Sequence, residues 1–331
     1  MVAAKHSSEQ RHVLAVDLGG TNLRVAVVGK DGSLSHRQHA PTDAELGPDS
    51  VLRRMADLIQ KVAGDAGLPG DAPVGIASPG PLNPREGIVY FTPNLPGWRN
   101  VPLGPRIEQL TGRRTVTAND ANCAGLGEVA FGAAKGSTDV IYLGLGTGVG
   151  GAVISGGRLI DGIRGLGAEL GHMCVAMDGP RCTCGGIGCL EAYIAGWAIA
   201  REGELVATTA DGEAIRRAAI GGHIHAGTIA AAARDGDEVA RTLLARAGRA
   251  LGVAIGTLTN IFNPELVVIG GGVARVGDHL LLPAREIVSS HCFHAMREDL
   301  RIVDATLGDD GGLFGAAALA FEAGNHRAAG I

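Results

Sequence analysis

A short apolar strand, a glycine-threonine turn and a second strand occur twice in this chain, first near residue 13 and again near residue 140. Val13-Leu14-Ala15-Val16 runs into Asp17-Leu18-Gly19-Gly20-Thr21, and residues 23–28 form the next strand. Gly29-Lys30-Asp31-Gly32 reads as a hairpin turn before a third strand at 34–39. The second copy starts with Val140-Ile141-Tyr142-Leu143 and Gly144-Leu145-Gly146-Thr147-Gly148. A strand at 151–154, a turn at Ser155-Gly156-Gly157 and a third strand near Leu159 complete it. With Val13 on Val140 and Gly19 on Gly146, a one-residue gap puts Thr21 on Thr147 and Val25-Ala26-Val27-Val28 on Gly151-Ala152-Val153-Ile154. Two occurrences are too few for a solenoid and suit two related α/β domains. The competing explanation is chance likeness between two glycine-rich hairpins.

The rest of the chain fits an α/β pattern. Val51, Met55, Leu58, Ile59 and Val62 share one helical face, so residues 50–63 are predicted helical, with Asp49 or Ser50 as N-cap. Residues 74–77 read as a buried strand broken by Pro79-Gly80-Pro81, 107–110 as helix, 115–118 as strand and 121–131 as helix. The opening order is therefore β-β-β-α-β-α-β-α. Leu243, Leu244, Ala247, Leu251, Ile255 and Leu258 define a helix over 238–260 that stops at Asn263-Pro264. Leu266-Val267-Val268-Ile269 is a strand opening onto Gly270-Gly271-Gly272. Gly311-Gly312 precedes an alanine-rich helix at 314–323, with a loose tail after it.

Composition narrows the function classes. The length of 331 residues suits two domains. Glycine makes up 53 of the 331 residues, about twice its usual share of roughly 7%, with no collagen period. It must serve tight turns or close backbone approach. Aromatics at 3% argue against base stacking, and a net charge of −5 without a basic block argues against nucleic acid. No apolar run approaches the roughly 20 residues of a membrane helix. Residues 1–11 are polar and carry no signal core, so a cytoplasmic enzyme or binding protein is expected. The 6 cysteines do not suggest a secreted framework in a chain this long.

Glycine loops can hold phosphate. Gly146-x-Gly148-x-x-Gly151 matches a dinucleotide fingerprint by letters, but a strand follows where that fingerprint needs a helix. No P-loop pattern is present. Two glycine-threonine turns remain, whose N–H groups can converge on anionic oxygen. Each alone also reads as a plain hairpin. Together with Gly270-Gly271-Gly272 they favour a nucleotide. Asp17, beside the first turn, suits support of Mg²⁺, directly or through water. Asn119-Asp120-Ala121-Asn122 follows a strand, where open α/β sheets bind ligands. Asp120 can accept a hydroxyl proton in phosphoryl transfer, or it can merely cap the next helix.

His172 and the crowded Cys182, Cys184 and Cys189 make a complete tetrahedral Zn²⁺ set, closed and therefore structural. Free buried cysteines are the alternative. Glu169 and Glu191 flank the cluster and can accept paired sugar hydroxyls. A ring nitrogen of His172 not given to metal can face a ligand. His223-x-His225 and His291-Cys292-x-His294 lack a full ligand set.

These motifs resemble the ROK family (repressors, open reading frames and sugar kinases) over residues 13–323. The resemblance is carried by Asp17-Leu18-Gly19-Gly20-Thr21 with Arg24, Leu145-Gly146-Thr147-Gly148-Val149-Gly150-Gly151 and Asn119-Asp120-Ala121-Asn122. Glu169-x-Gly171-His172 with Cys182-x-Cys184-Gly185-x-x-Gly188-Cys189-Leu190-Glu191 is its most specific part. Thr92-Pro93-Asn94-Leu95-Pro96-Gly97-Trp98 resembles the ATP-dependent ROK glucokinases most closely. Ala168 departs from the glycine many members have there.

The resemblance implies an α/β, two-lobed, actin-like (RNase H-like) ATPase fold with duplicated β-β-β-α-β-α units and a cleft between lobes. It implies a small lobe over 1–118, rejoined by a helix at 312–331, and a large lobe over 119–311. It implies ATP- and Mg²⁺-dependent phosphorylation of the C6 hydroxyl of a hexose, with Asp120 as base. Asn94, Asn119, Asp120, Glu169, His172 and Glu191 would hold the sugar. Asp17 would support Mg²⁺, and Gly19, Gly20, Thr21, Gly146, Thr147 and Gly148 would face phosphate. Gly270, Gly271 and Gly272 would lie near the ribose or base. Glucose is the expected sugar. N-acetylmannosamine, N-acetylglucosamine, mannose, fructose, a polyphosphate donor and a non-catalytic sugar sensor are the alternatives. Family repressors carry a DNA-binding helix-turn-helix ahead of the first phosphate motif, and the 16 residues before Asp17 are too few for one. A homodimer or homotetramer is implied, with no nucleic-acid or membrane partner.

Overall fold

The structure, a computed structural model, describes residues 11–92 and 94–328. The described residues form two compact units. One draws on Met1–Gly136, Asp161–Gly167 and Asp309–Ile331, the other on Ser137–Ile160 and Ala168–Gly308.

The first unit opens with β1 (His12–Leu18), β2 (Asn22–Gly29), β3 (Leu34–Pro41), α1 (Pro48–Asp65) and β4 (Val74–Ser78). β5 (Leu82–Asn83), β6 (Ile88–Phe91) and β7 (Arg99–Val101) follow, then α2 (Leu103–Thr111), β8 (Thr115–Asn119) and α3 (Asp120–Phe131). The main sheet has the order β3-β2-β1-β4-β8, antiparallel from β1 to β3 and parallel from β1 through β4 to β8. β1 is apolar without alternation because both faces are covered. Leu14, Val16, Val25 and Ile76 share one core with Met55, Ile59 and Val62 of α1. Val13, Ala15, Ala26 and Ala77 face the opposite core.

Two local differences from the sequence reading have simple causes. α1 begins at Pro48 after Gly47 and has no side-chain cap, so neither Asp49 nor Ser50 is the N-cap. Proline suits the first helical position because its missing N–H would have no partner there. β5, β6 and β7 form a separate antiparallel sheet that the sequence does not announce. Its strands have 2, 4 and 3 residues, too few to display a period.

The second unit contains β9 (Val140–Leu145), β10 (Val149–Ser155), β11 (Arg158–Leu159), α4 (Glu191–Ile194), α5 (Gly196–Ala207), α6 (Glu213–Ala218) and α7 (Ala226–Arg234). α8 (Glu238–Phe262), β12 (Leu266–Gly270), α9 (Asp278–His291), α10 (His294–Arg297) and β13 (Arg301–Asp304) complete it. Its sheet has the order β11-β10-β9-β12-β13, with the same sequence of antiparallel and parallel pairings as the first. The repeat extends to register. Leu18 pairs with Leu23 and Asp17 with Arg24; Leu145 pairs with Val149 and Gly144 with Gly150. The second turn is one residue shorter, as the sequence gap requires. Asp17 and Arg24 therefore stand where the second unit has two glycines.

Several glycines let helices touch backbone to backbone. A Cβ on Gly248 or Gly252 of α8 would come within 2.3 or 2.4 Å of the Leu280 or Ala284 oxygen of α9. α8 starts with the Asp237 side chain accepting from Ala240 N at 2.7 Å. It ends at Asn263, in the left-handed region at φ 46°, ahead of Pro264. α11 (Gly311–Ala328) belongs to the first unit. A Cβ on its Gly315 would sit 1.7 Å from the Cys123 oxygen of α3, so the two helices are in intimate contact. That contact helps explain why the first unit runs to Gly136 and not only to residue 118. α11 covers 311–328, longer than the expected 314–323, and 329–331 of the expected tail lie outside the described residues. No helix among the described residues is long and apolar enough to cross a membrane.

Candidate active site and metal centre

The first glycine turn is closed by Gly19 N donating to the Asn22 oxygen at 2.9 Å. Thr42, fully buried, pins it twice. Its N donates to the Thr21 oxygen at 2.8 Å and its Oγ1 to the Gly19 oxygen at 2.7 Å. Three carbonyls of the turn are thus engaged inside the protein, as a turn that offers N–H groups to anionic oxygen requires. Thr21 itself is exposed. A Cβ on Gly20 would meet the Asn94 oxygen at 2.9 Å, so the turn lies directly against Asn94.

Asp17, one residue before the end of β1, is clamped by Arg24, whose Nε and Nη2 both donate to its Oδ2. Arg24 and Arg37 in turn reach Asp310, at 3.4 and 2.9 Å. Burial pushes the Asp17 carboxyl above its ordinary range, and the Arg24 guanidinium opposes that shift. Oδ2 is thus held by Arg24, and Oδ1 is the carboxylate oxygen nearer Gly312, 3.2 Å from where a Cβ on that glycine would sit.

At the β8–α3 junction the two candidate residues divide their work. Asn119 Oδ1 caps α3 by accepting from Ala121 N at 2.9 Å and Asn122 N at 3.4 Å. Asp120 is the first helical residue and is exposed, its Oδ1 accepting from Ala121 N at 2.8 Å. Asp120 is therefore not the N-cap. Cys123, on the same helix, is fully buried. Burial pushes that thiol well above its ordinary value, and the charges of Asp120 and Asp17 act in the same direction.

In the second unit, Gly146 N donates to the Gly148 oxygen at 2.9 Å, and Gly196 N at the start of α5 donates to the Gly146 oxygen at 2.8 Å. Thr147 is exposed. Gly270 ends β12, and Gly271, at φ 89°, brings its backbone against Leu145, where a Cβ would be 2.3 Å from the oxygen. The Gly270-Gly271-Gly272 loop thus joins the second turn. A strand, β10, and not a helix follows the Gly146-Thr147-Gly148 turn and contains Gly151, so the letters of the dinucleotide fingerprint do not carry its structure.

Glu191 lies against the same turn, where a Cβ on Gly148 would be 2.8 Å from its Oε2. Gly171, between Glu169 and His172, sits directly on β10, where a Cβ would lie 2.1 Å from the Val149 oxygen. Glu169 and His172 are exposed. Glu191 is buried; its Oε2 accepts from Val149 N at 2.9 Å and its Oε1 from Thr183 Oγ1 at 3.3 Å. Ala168, next to Glu169, has φ 62°, a left-handed conformation that favours glycine.

The ligand atoms of His172, Cys182, Cys184 and Cys189 all lie within 4.8 Å of one another. Cys182 Sγ is 3.7 Å from His172 Nδ1, and the Cys184 and Cys189 sulfurs are 3.8 Å apart. A tetrahedron with Zn–S near 2.3 Å has edges of about 3.8 Å, so the residues fit zinc. Burial, then the neighbouring thiols, pushes Cys189 up to about 12, while the Gly186 N–H lowers Cys184. Three thiols crowded this way need a cation to ionise together. His172 Nδ1 points at the thiols, which turns Nε2 to the far side of the ring. His225 instead caps α7, accepting from Thr228 N at 3.3 Å.

Sequence reasoning missed Thr42, which lies 23 residues from the carbonyl it pins and belongs to no motif. It also missed that Glu191 is engaged inside the protein.

The ROK family profile matches residues 13–323. A glucokinase of Thermotoga maritima is 39% identical over 310 residues, 93% of this chain and 96% of that protein. An N-acetylmannosamine kinase of Shigella flexneri is 33% identical over 312 residues, 93% of this chain and 98% of that protein. The solved structure of a ROK family glucokinase from Streptomyces griseus, in complex with glucose and AMPPNP, has a TM-score of 0.77 at 32% identity, covering 94% of this chain and 99% of that one. With its doubled sheet and paired glycine turns, the chain belongs to the ROK family and has the family's actin-like ATPase fold.

Proposed function

We propose that this hexose kinase transfers the γ-phosphoryl group of ATP to the C6 hydroxyl of glucose. The observation that carries the reading is the division of labour at the β8–α3 junction. Asn119 caps the helix, which leaves the exposed Asp120 carboxylate outside the cap, and in this reading it takes the hydroxyl proton. Asn94, Asn119, Glu169, His172 and Glu191 hold the sugar. The turns at Gly19-Gly20-Thr21 and Gly146-Thr147-Gly148 offer donors to phosphate, and Gly270-Gly271-Gly272 accommodates the nucleoside. Asp17 supports Mg²⁺, which supplies charge neutralisation at the transferring group. His172, Cys182, Cys184 and Cys189 hold structural zinc, which orders the loop that carries His172 and Glu191. Exclusion of water during transfer protects ATP from hydrolysis.

The glucokinase of Thermotoga maritima and the glucose complex from Streptomyces griseus support glucose. The N-acetylmannosamine kinase of Shigella flexneri supports the second reading, an N-acetylhexosamine as acceptor. The test is ADP release from Mg·ATP over a panel of hexoses, with Asp120→Ala as control. Turnover highest with glucose upholds the first reading. Turnover highest with N-acetylmannosamine replaces it by the second, and no turnover with any sugar points to a sensor. We also propose a cytoplasmic location, which keeps the thiols reduced, and a homodimer or homotetramer, checked by light scattering.

A further inference from the structure

Cys174 and Cys189 stand opposite each other in an antiparallel bridge. Val175 N donates to the Gly188 oxygen at 2.8 Å and Leu190 N to the Met173 oxygen at 3.0 Å, so the hydrogen bonds flank the pair and do not join it. In a pair of this kind the Cα atoms lie about 4.5 Å apart and the side chains approach most closely. A disulfide accepts Cα separations of about 4.4–6.8 Å. The backbone is therefore already set for a cross-link. Yet Cys189 is one of the four residues whose ligand atoms cluster, and Cys174 is not. Cys189 is buried and Cys174 is exposed, both as free thiols.

We propose that Cys174 is a peroxide-reactive thiol that withdraws Cys189 from the zinc site as a disulfide. The inference rests on the zinc reading of the cluster. The Cys174 thiolate attacks one oxygen of hydrogen peroxide, the O–O bond breaks, and hydroxide leaves a sulfenic acid on Cys174. Cys189 sulfur then attacks the sulfenic sulfur; the S–S bond forms, the S–O bond breaks and a second hydroxide leaves. Two thiols are oxidised by two electrons, and one peroxide is reduced to two waters. A set of three ligands is left where structural zinc needs four. The loop between them also holds Thr183, a donor to Glu191, so oxidation loosens the segment that carries Glu191. A thiol reductant reverses the step.

The experiment uses the full zinc-loaded chain as wild type, Cys174→Ser and Cys174→Thr. Zinc content is measured first, and a chain that holds none sinks the metal reading before any oxidant is added. Hydrogen peroxide is then given with a metallochromic indicator, and the products are mapped as non-reduced peptides. We expect wild type to release zinc several-fold faster than either variant, with a Cys174–Cys189 linkage that dithiothreitol removes. Equal release from all three proteins, or linkages confined to Cys182, Cys184 and Cys189, overturns the proposal.

Discussion

The carboxylate of Glu191 accepts a hydrogen bond from the backbone N–H of Val149 at 2.9 Å, so the residue after the cysteine loop supports the strand that leaves the second glycine turn. The bond is buried. Removing the acceptor strands a donor, which costs about 1–3 kcal/mol. Glu191→Ala is expected to lower stability by that amount in urea unfolding. Glu191→Gln keeps an acceptor oxygen and should recover most of the loss. Equal losses in both variants would show that charge, and not the bond, matters.

Asp120 and Asn119 can be probed by different readouts, turnover for the one and stability for the other. Asp120→Ala should lower kcat by about 10²–10⁴-fold, the usual worth of a general base. Its unfolding midpoint should stay close to wild type, because Asn119 supplies the cap. Asn119→Ala should instead cost about 1 kcal/mol of stability through the lost cap. Unchanged turnover in Asp120→Ala removes the base assignment.

Ala168 holds a left-handed φ of 62°. An L-residue there costs roughly 1–2 kcal/mol, and glycine returns about 0.4–1 kcal/mol of that through its freer unfolded chain. Ala168→Gly is therefore expected to stabilise the protein by about 1 kcal/mol or less. Thermal unfolding checks it, and a fall in Tm would contradict the strain.

The zinc set has its own signature. Cys184→Ser should lower bound zinc, read by elemental analysis, and should lower Tm. A strong chelator should lower the Tm of wild type and leave that of the variant nearly unchanged, because binding free energy at such a site is folding free energy. Full zinc occupancy in the variant would refute the ligand set.

The doubled sheet was legible in the sequence because its turns are marked by glycine and threonine at matching positions, and its strands are continuous apolar runs. The Cys/His cluster was legible because its cysteines are near neighbours in the chain. What stayed hidden depends on contacts between distant residues. Thr42 pins the Gly19 carbonyl, and Asn94 packs on Gly20, through closures that no local pattern records. The sheet of β5, β6 and β7 was missed because its strands are shorter than the period that would reveal them. The left-handed Ala168 was invisible because alanine announces helix, and only the path of the chain forces it elsewhere.

The cross-strand position filled by Asp17 and Arg24 in one sheet is filled by Gly144 and Gly150 in the other. A gene doubled in length would begin with two interchangeable halves, but these halves have separated at this one rung of the ladder. Transplanting the glycine rung into the first sheet would preserve every strand pairing and erase the charge beside its turn. The two units share strand order, register and turn residues, and at this rung their side chains have specialised.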